Sequence, residues 1–594
     1  MKTMFSGFKA GFMLLLVGAF MAGCGGGGGG STPATTPPVT TVSGVAAAGA
    51  PIVGFAYLKD SANPSVTRGP ATIASDGSFS FNVDGLTAPF ILKAEGSVGG
   101  QSVKLVSAAT AAGTANINPL TNIAVAAATG TTDPLSVYSN PLTYPIMQVN
   151  LDAAIVQIQT MLQSLNTVYS TTANPLTGTY SANHTGLDAI LDVVSVSLDT
   201  TTGGVSVDSK VTGATIGTAS IGASGISVTD TIAASEVPAT TTITDLQAIG
   251  AALSSLATTI NSKGVNLAAA DLAPYYASDA NFGMNDGLDR TNTLSMWAGN
   301  LSTLPSTISG VTGLALVSVD TGATPNVYTI SGSIKFTDGS SFPLDAFASK
   351  FIYESGSWKI KGNGHIAWSS VYPRVVRNTG YFGGATITVT DTTGIALDTD
   401  DSGNMGINSA VMTGPGLPTG GVTFVLMNGR LCYNNGMNCD VTYDAMDDAT
   451  IGAIPDNAEY TVVYKDVSSA TLETRKFTVA KRPYKKTELA NGSFLGTNVT
   501  SHSLADAHYG GAFNFTYTLP TEYIATDISS EMAFSEFAGG DTGNYIKVRK
   551  QLSMTEGSAS LTTVAGSWTP VEAYFYTNAT DQYGREFHTY WQFK

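Results

Sequence analysis

Hydrophobic and polar residues alternate over short stretches through most of this 594-residue chain, a pattern that predicts strands more often than helices. Between Val42 and about Ala112 the alternation is continuous. Ser75-Asp76-Gly77 reads as a turn, Phe79 and Phe81 as the inward positions of the next strand, and Phe90-Ile91-Leu92-Lys93-Ala94 as the strand after it. One small sandwich over 42–112 accounts for the pattern. The period then changes: Asn118-Pro119-Leu120 has the residues of a helix start, and Leu151, Ile155, Ile158, Leu162 and Leu165 recur at helical spacing. Helices are predicted over 118–128 and 149–168, with a shorter one over 187–193, and the apolar stripe is read as packing surface rather than a partner groove. Weak alternation among Gly- and Thr-rich turns returns over 195–227, and 233–242 reads as a linker, so 113–242 is a helical and Gly/Thr-rich β segment.

From Ile243 the pattern predicts helices over 243–262, 268–280 and 286–300, then strands near 312–320, 326–336, 344–354 and 357–368. Helices followed by a meander indicate an α+β domain over 243–372. The remaining residues carry closely spaced strand signals and divide near Pro483-Tyr484-Lys485-Lys486-Thr487, giving an Ig-like β-sandwich over 373–484 and a second β-sandwich over 485–594. In the last two strands Phe575, Phe587, Trp591 and Phe593 fall on one face and Tyr574, Tyr576 and Tyr590 on the other. The three tyrosines are therefore expected to face outward and are the candidate ligand-binding residues. The fold class expected is multi-domain and mainly β: β-sandwich modules with a helical segment and one α+β domain.

Length supports several domains, because a chain this long exceeds what one core can organise. Hydrophobic residues make up 43% and charged residues 12%, which suits short strands joined by Thr, Ser and Gly turns. The net charge is −16 and there is no long basic run; such a surface repels a phosphate backbone, so nucleic acid is excluded as a partner.

The first residues read as an address. Lys2 and Lys9 give a positive start, Gly11 to Phe20 an apolar run, and Met21-Ala22-Gly23-Cys24 a small-residue processing site. This resembles the bacterial lipoprotein signal, with Met21 where Leu is usual; the resemblance implies a signal peptide over 1–24 and lipid on Cys24. A transmembrane anchor is the alternative, but the apolar run is short of the roughly 20 residues a span needs. Gly25 follows the cysteine where Asp would favour inner-membrane retention in that family, so the outer membrane or cell surface is the expected location. Residues 25–41, rich in Gly, Thr and Pro, are a tether with nothing to bury.

Two further resemblances bear on the folded part. Val42-Ser43-Gly44, Ala50-Pro51-Ile52-Val53-Gly54 and Asp76-Gly77-Ser78-Phe79-Ser80-Phe81 resemble the carboxypeptidase-regulatory-like, transthyretin-like modules, which implies a spacer or adhesive sandwich without catalytic residues. Phe351 to Gly364, with Trp358 at its centre, and Asp286-Gly287-Leu288-Asp289-Arg290 resemble the last hairpin and preceding helix of NTF2-like domains. That resemblance implies a sheet bent around helices, enclosing a pocket that is catalytic in some relatives and only a binding or dimerisation surface in many.

With Cys24 assigned to lipid, Cys432 and Cys439 remain, flanking Asn434-Asn435-Gly436. In an exported protein this reads as a disulfide closing a hairpin loop, with half of a metal site or two free thiols as the alternatives. Nucleophile machinery is missing: the sequence has neither a Gly-x-Ser-x-Gly elbow nor His-Glu-x-x-His. Among the histidines His502 and His508 cluster in sequence, with Asp506 between them, but on a strand the three would be too far apart for one ion. His365 is expected to be structural. Asp398 to Asn404 resembles a calcium loop but has Ser409 at the twelfth position in place of the bidentate Glu. Nothing singles out a carboxylate pair for glycoside hydrolysis. In the NTF2-like domain Asp289, Arg290 and His365 lie on separate elements, so a pocket without turnover is expected. The chain is thus read as a non-enzyme with no cofactor and no metal, attached to a membrane through its N-terminal lipid. Its role is structural, adhesive or scaffolding, with an envelope protein or glycan as partner; the alternative is a binding protein for a small apolar or glycan ligand.

Overall fold

The computed structural model describes residues 40–304, 306–344, 348–381, 386–401, 403–427, 430–433, 442–443, 446–536, 545–555 and 557–594. Cys24 and the rest of the expected signal and tether up to residue 39 lie outside them. The described chain is mainly β and multi-domain, with several sheets in sandwich-like arrangements and a few helices.

The first sandwich joins a three-stranded sheet (Ser78–Asn82, Thr41–Val45, Gly113–Thr114) to a four-stranded one (Thr67–Thr72, Val53–Lys59, Phe90–Val98, Gln101–Ala109). Phe79 and Phe81 enter its core with Val42, Leu58 and Leu92, as alternation requires. Asp76 accepts the Ser78 N–H at 2.9 Å and Gly77 takes φ +84°, which closes the turn between the strands.

Asn118 opens the helix Pro119–Thr129: its side chain accepts the N–H groups of Leu120 and Thr121, and the Thr121 hydroxyl accepts from the Asn118 N–H in return. Proline at the first helical position completes this start. Helices Gln148–Met161, Gln163–Val168 and Leu187–Val193 follow, and their apolar stripe packs with a four-stranded antiparallel meander spanning Val194 to Asp230.

Helix Thr241–Lys263 buries Leu246, Ile249, Leu253, Leu256 and Ile260. It packs against the antiparallel order Ile308–Asp320, Val327–Phe336, Lys350–Glu354, Ser357–Lys361. Several features differ from the sequence reading. The helix expected over 268–280 forms only as the short pieces Ala269–Leu272 and Asp279–Phe282 with Pro274 between them, and the strand expected over 344–354 covers Lys350–Glu354. The hairpin strand stops at Lys361 rather than running to 368, where Gly362-Asn363-Gly364 turns the chain with Gly364 at φ +83°. Residue 372, the expected end of this unit, lies inside strand Trp368–Gly380, because the strand is defined by distant partners that local pattern does not reveal.

That strand pairs on one side with Thr388–Asp400 and on the other, in parallel, with Glu586–Phe593. One twelve-stranded sheet therefore crosses from the 367–479 core into the 494–593 core. The sequence reading divides this segment into two sandwiches near 483–487; the structure gives separate cores and a common sheet. The first sandwich also touches more than its chain neighbours. Ser102 N–H donates to Asn457 Oδ1 at 2.6 Å, Asn457 Nδ2 returns a bond to Ser102 O at 2.8 Å, and Lys104 and Lys481 both reach Asp456, at 2.9 and 2.8 Å.

Candidate functional site

The strands that share the long sheet carry polar and tyrosine side chains on the face opposite the aromatic core, buried or half-buried, and the three candidate tyrosines lie on it. Tyr576 is paired in register with Tyr590 on one side and Glu531 on the other, and Tyr590 also with Asn378. Their rings meet, Tyr576 on Tyr590 at 4.5 Å and Tyr574 on Tyr590 at 5.1 Å between centroids. Tyr574 departs from the expectation that all three face outward: it is 5% exposed. Its hydroxyl donates to Glu572, and Gln592 Nε2 donates to the same carboxylate at 3.1 Å. Burial and Glu572 raise the Tyr574 pKa well above the usual tyrosine value. Farther along this face Glu586 lies in register with Arg374 and hydrogen-bonds His588 at 2.8 Å. Burial would push the Glu586 carboxyl up, but His588 and the charges of Arg374 and Arg549 hold it below the ordinary range.

The other residues singled out by sequence serve packing and chain geometry. Asp289 caps helix Arg290–Leu301 through the Asn292 N–H, and Arg290 binds the carbonyls of Ala277 and Ala273 at 2.6 and 2.9 Å. His365 lies in the loop after the hairpin, its Nδ1 2.6 Å from Glu473, linking two modules. The structure does not bring these three together. His502 bonds the Gln592 carbonyl at 2.7 Å and stacks on Trp591, Asp506 accepts from Ser501, and His508 takes φ +58° at the end of a short helical turn, so this trio does not converge either. Asp401 of the calcium-loop resemblance accepts the N–H groups of Met405 and Ile407. Cys432 is buried on its strand; Cys439 lies outside the described residues.

The cluster that the sequence reading passed over is His184, Asp188 and Asp192. One ligand-capable atom from each lies within 4.8 Å of the others. Asp188 and Asp192 are one turn apart on helix Leu187–Val193 and are 1% and 0% exposed. His184 precedes the helix at φ +62°, a conformation histidine adopts more readily than most residues. There its N–H donates to Asp188 Oδ2 at 2.6 Å and its Nδ1 lies 2.8 Å from Asp192 Oδ2. Tyr180 donates to Asp188 Oδ1 at 3.3 Å. Burial and then the charge of Asp192 raise the Asp188 pKa to about 6. Asp192 is raised by burial, and the hydrogen bond to Asp192 raises His184. Lys210, half-buried and lowered by desolvation, donates to Leu191 O at 3.0 Å at the end of the same helix. Gly49 passes close by at φ +78°, where a Cβ would stand 2.8 Å from that carbonyl. The spacing of four and four in His184-x-x-x-Asp188-x-x-x-Asp192 was visible in the sequence; what hid it was that only Asp188 and Asp192 are on the helix.

No family model matches the chain, and no curated protein matches it. Among solved structures it is similar to a tetra-tandem repeat in the extending region of a large adhesion protein, at 10% identity over 93% of this chain and 98% of that one, with a TM-score of 0.13. It is also similar to a structure of a bacterial ice-binding adhesin, at 15% identity over 45% and 73%, TM-score 0.13. A third is the FN1–FN3 domains of chicken CNTN1, at 13% identity over 45% and 78%, TM-score 0.13. At that TM-score the likeness carries no argument, and the functional reading rests on the residues.

Proposed function

We propose that the chain is a lipid-anchored protein of the cell envelope with a structural, adhesive or scaffolding role, and not an enzyme. The observation that carries this reading is where its polar side chains go. Arg290, His365, Asn457, Asp456 and Lys481 brace loops and join one module to another, which stiffens an array that must hold its shape away from a membrane. The Cys24 motif and the Gly-rich tether after it supply the attachment and the reach. Cys24→Ser is expected to move the protein from the membrane pellet to the soluble fraction, or to leave it with an uncleaved signal, on fractionation and intact-mass measurement. A variant that stays tightly membrane-bound and normally processed would refute the anchor.

A second reading is favoured by the tyrosine face. Tyr576 and Tyr590 are only partly buried and sit among Glu531, Asn378 and Gln592, so aromatic surface and hydrogen-bonding groups lie side by side, as sugar rings require. On an oligosaccharide array the protein is expected to retain at least one sugar, with binding weakened about tenfold or more by Tyr576→Ser together with Tyr590→Ser, the loss of about 1.4 kcal/mol. Retention of no sugar by the unaltered protein removes this reading.

A further inference from the structure

We propose that His184, Asp188 and Asp192 form a binding site for a divalent transition metal of the zinc class. The donor set is one imidazole nitrogen and two carboxylates, and the imidazole selects zinc-like ions over Mg²⁺ and Ca²⁺, which prefer all-oxygen shells. The three donors come from four-residue steps, so they share one side of the helix and the turn that leads into it.

Two observations point to an ion rather than to a self-contained polar cluster. Asp192 is fully shut from solvent, yet among the described residues its Oδ1 has no hydrogen-bond partner; a buried carboxylate oxygen in that condition costs about 1–3 kcal/mol or more unless something positive meets it. The helix also places two buried carboxylates at i and i+4, where like charges repel. Lys210, half-buried, is the cation near them; its charge acts on both carboxylates, while its ammonium donates to Leu191 O rather than to Asp192 Oδ1.

The spacing requires only a modest contraction. Zinc holds nitrogen and oxygen donors at about 2.0–2.2 Å, which in a tetrahedral site separates the donors from one another by roughly 3.3–3.6 Å. Here the donors lie within 4.8 Å, and the closest pair, His184 Nδ1 and Asp192 Oδ2 at 2.8 Å, opens slightly when the ion replaces the shared proton. His184 stands on a loop and can make that adjustment. Orienting partners are already in place: Tyr180 and the His184 N–H both fix the Asp188 carboxylate, as second partners of metal ligands commonly do. The His184 side chain is 23% exposed, which leaves a water-accessible fourth position. Bound there, the ion fastens the 181–186 loop to the helix.

The test is a Zn²⁺ titration of the full chain stripped with chelator, followed by competition with a chromophoric chelator and by melting. One equivalent is expected to bind with Kd of about 10 μM or tighter and to raise Tm. Co²⁺ in place of Zn²⁺ should give a visible spectrum of nitrogen and oxygen ligation. His184→Ala and the near-isosteric Asp192→Asn should each weaken binding by tenfold or more, whereas His508→Ala, on an exposed turn, should not. Binding that survives both site substitutions would place the metal elsewhere and overturn the proposal. So would a stripped wild-type chain that binds no Zn²⁺ below about 100 μM, whatever the folding of the variants.

Discussion

Phe575→Ala is expected to lower the unfolding free energy of the C-terminal module by about 4 kcal/mol, within the range for truncating a buried aromatic residue. Phe575 is 2% exposed and its ring contacts those of Phe513 and Phe515 at centroid distances of 5.0 and 4.8 Å. It also lies in register with Met532 and Trp591, so both neighbouring strands of the long sheet would lose a contact along with the facing sheet. The ring cannot be replaced by collapse of one neighbour, because several elements would have to move together. Urea unfolding followed by hydrogen exchange over 512–593 measures the effect, and protection of strand Ala512–Thr518 should fall with it. Phe575→Leu, which keeps most of the volume, should cost about 1–1.5 kcal/mol. A loss below about 1 kcal/mol for the alanine variant would mean that the two sheets are not held together here.

Arg585→Met is expected to cost about 3–5 kcal/mol, through the partner it abandons rather than through its own contacts. The Arg585 Nε lies 2.6 Å from Asp581 Oδ2, and the two side chains are 11% and 0% exposed. The guanidinium lies 4.2 Å from the centre of the Tyr484 ring, so the stem and the planar head are both packed. Without the arginine, Asp581 keeps the N–H bonds from Tyr583 and Arg585 at 2.8 and 2.9 Å but carries an uncompensated buried charge. Arg585→Met combined with Asp581→Asn should therefore be more stable than the single variant by about 1 kcal/mol or more. The double-mutant cycle in urea decides this. Additive losses would show that the pair contributes packing and no charge compensation.

What could be read from the sequence was local. The helix Leu187–Val193, the cap at Asn118 and the inward Phe79 and Phe81 each follow from a few consecutive residues, since capping and alternation act over distances shorter than a turn or two of chain. The candidate site was less legible. Tyr574, Tyr576 and Tyr590 fall on the face opposite Phe575 and Phe587, because pleating fixes the face. Whether that face meets water is another matter, and Tyr574 is buried by Glu572 and Gln592. His365 carries no sign that its partner is Glu473, which lies 108 residues later. Nothing local marks His184, because its four-residue steps to Asp188 and Asp192 lead into a very short helix on which it does not itself lie.

The sequence by itself determined the β-rich character, the positions of most helices and turns, the acidic charge and the signal-like start with its Cys24, all of which depend on composition or on neighbouring residues. Tertiary structure decided which strands meet, and this is what joins Trp368–Gly380 to Glu586–Phe593 across some two hundred residues of chain and fastens Ser102 to Asn457. It also decided that His184, Asp188 and Asp192 converge with one carboxylate oxygen left unmatched. The physical reason is the same in each case: hydrogen-bonded edges and buried charges are satisfied by groups brought near in space, and the identity of those groups is set by packing, which no short stretch of sequence encodes.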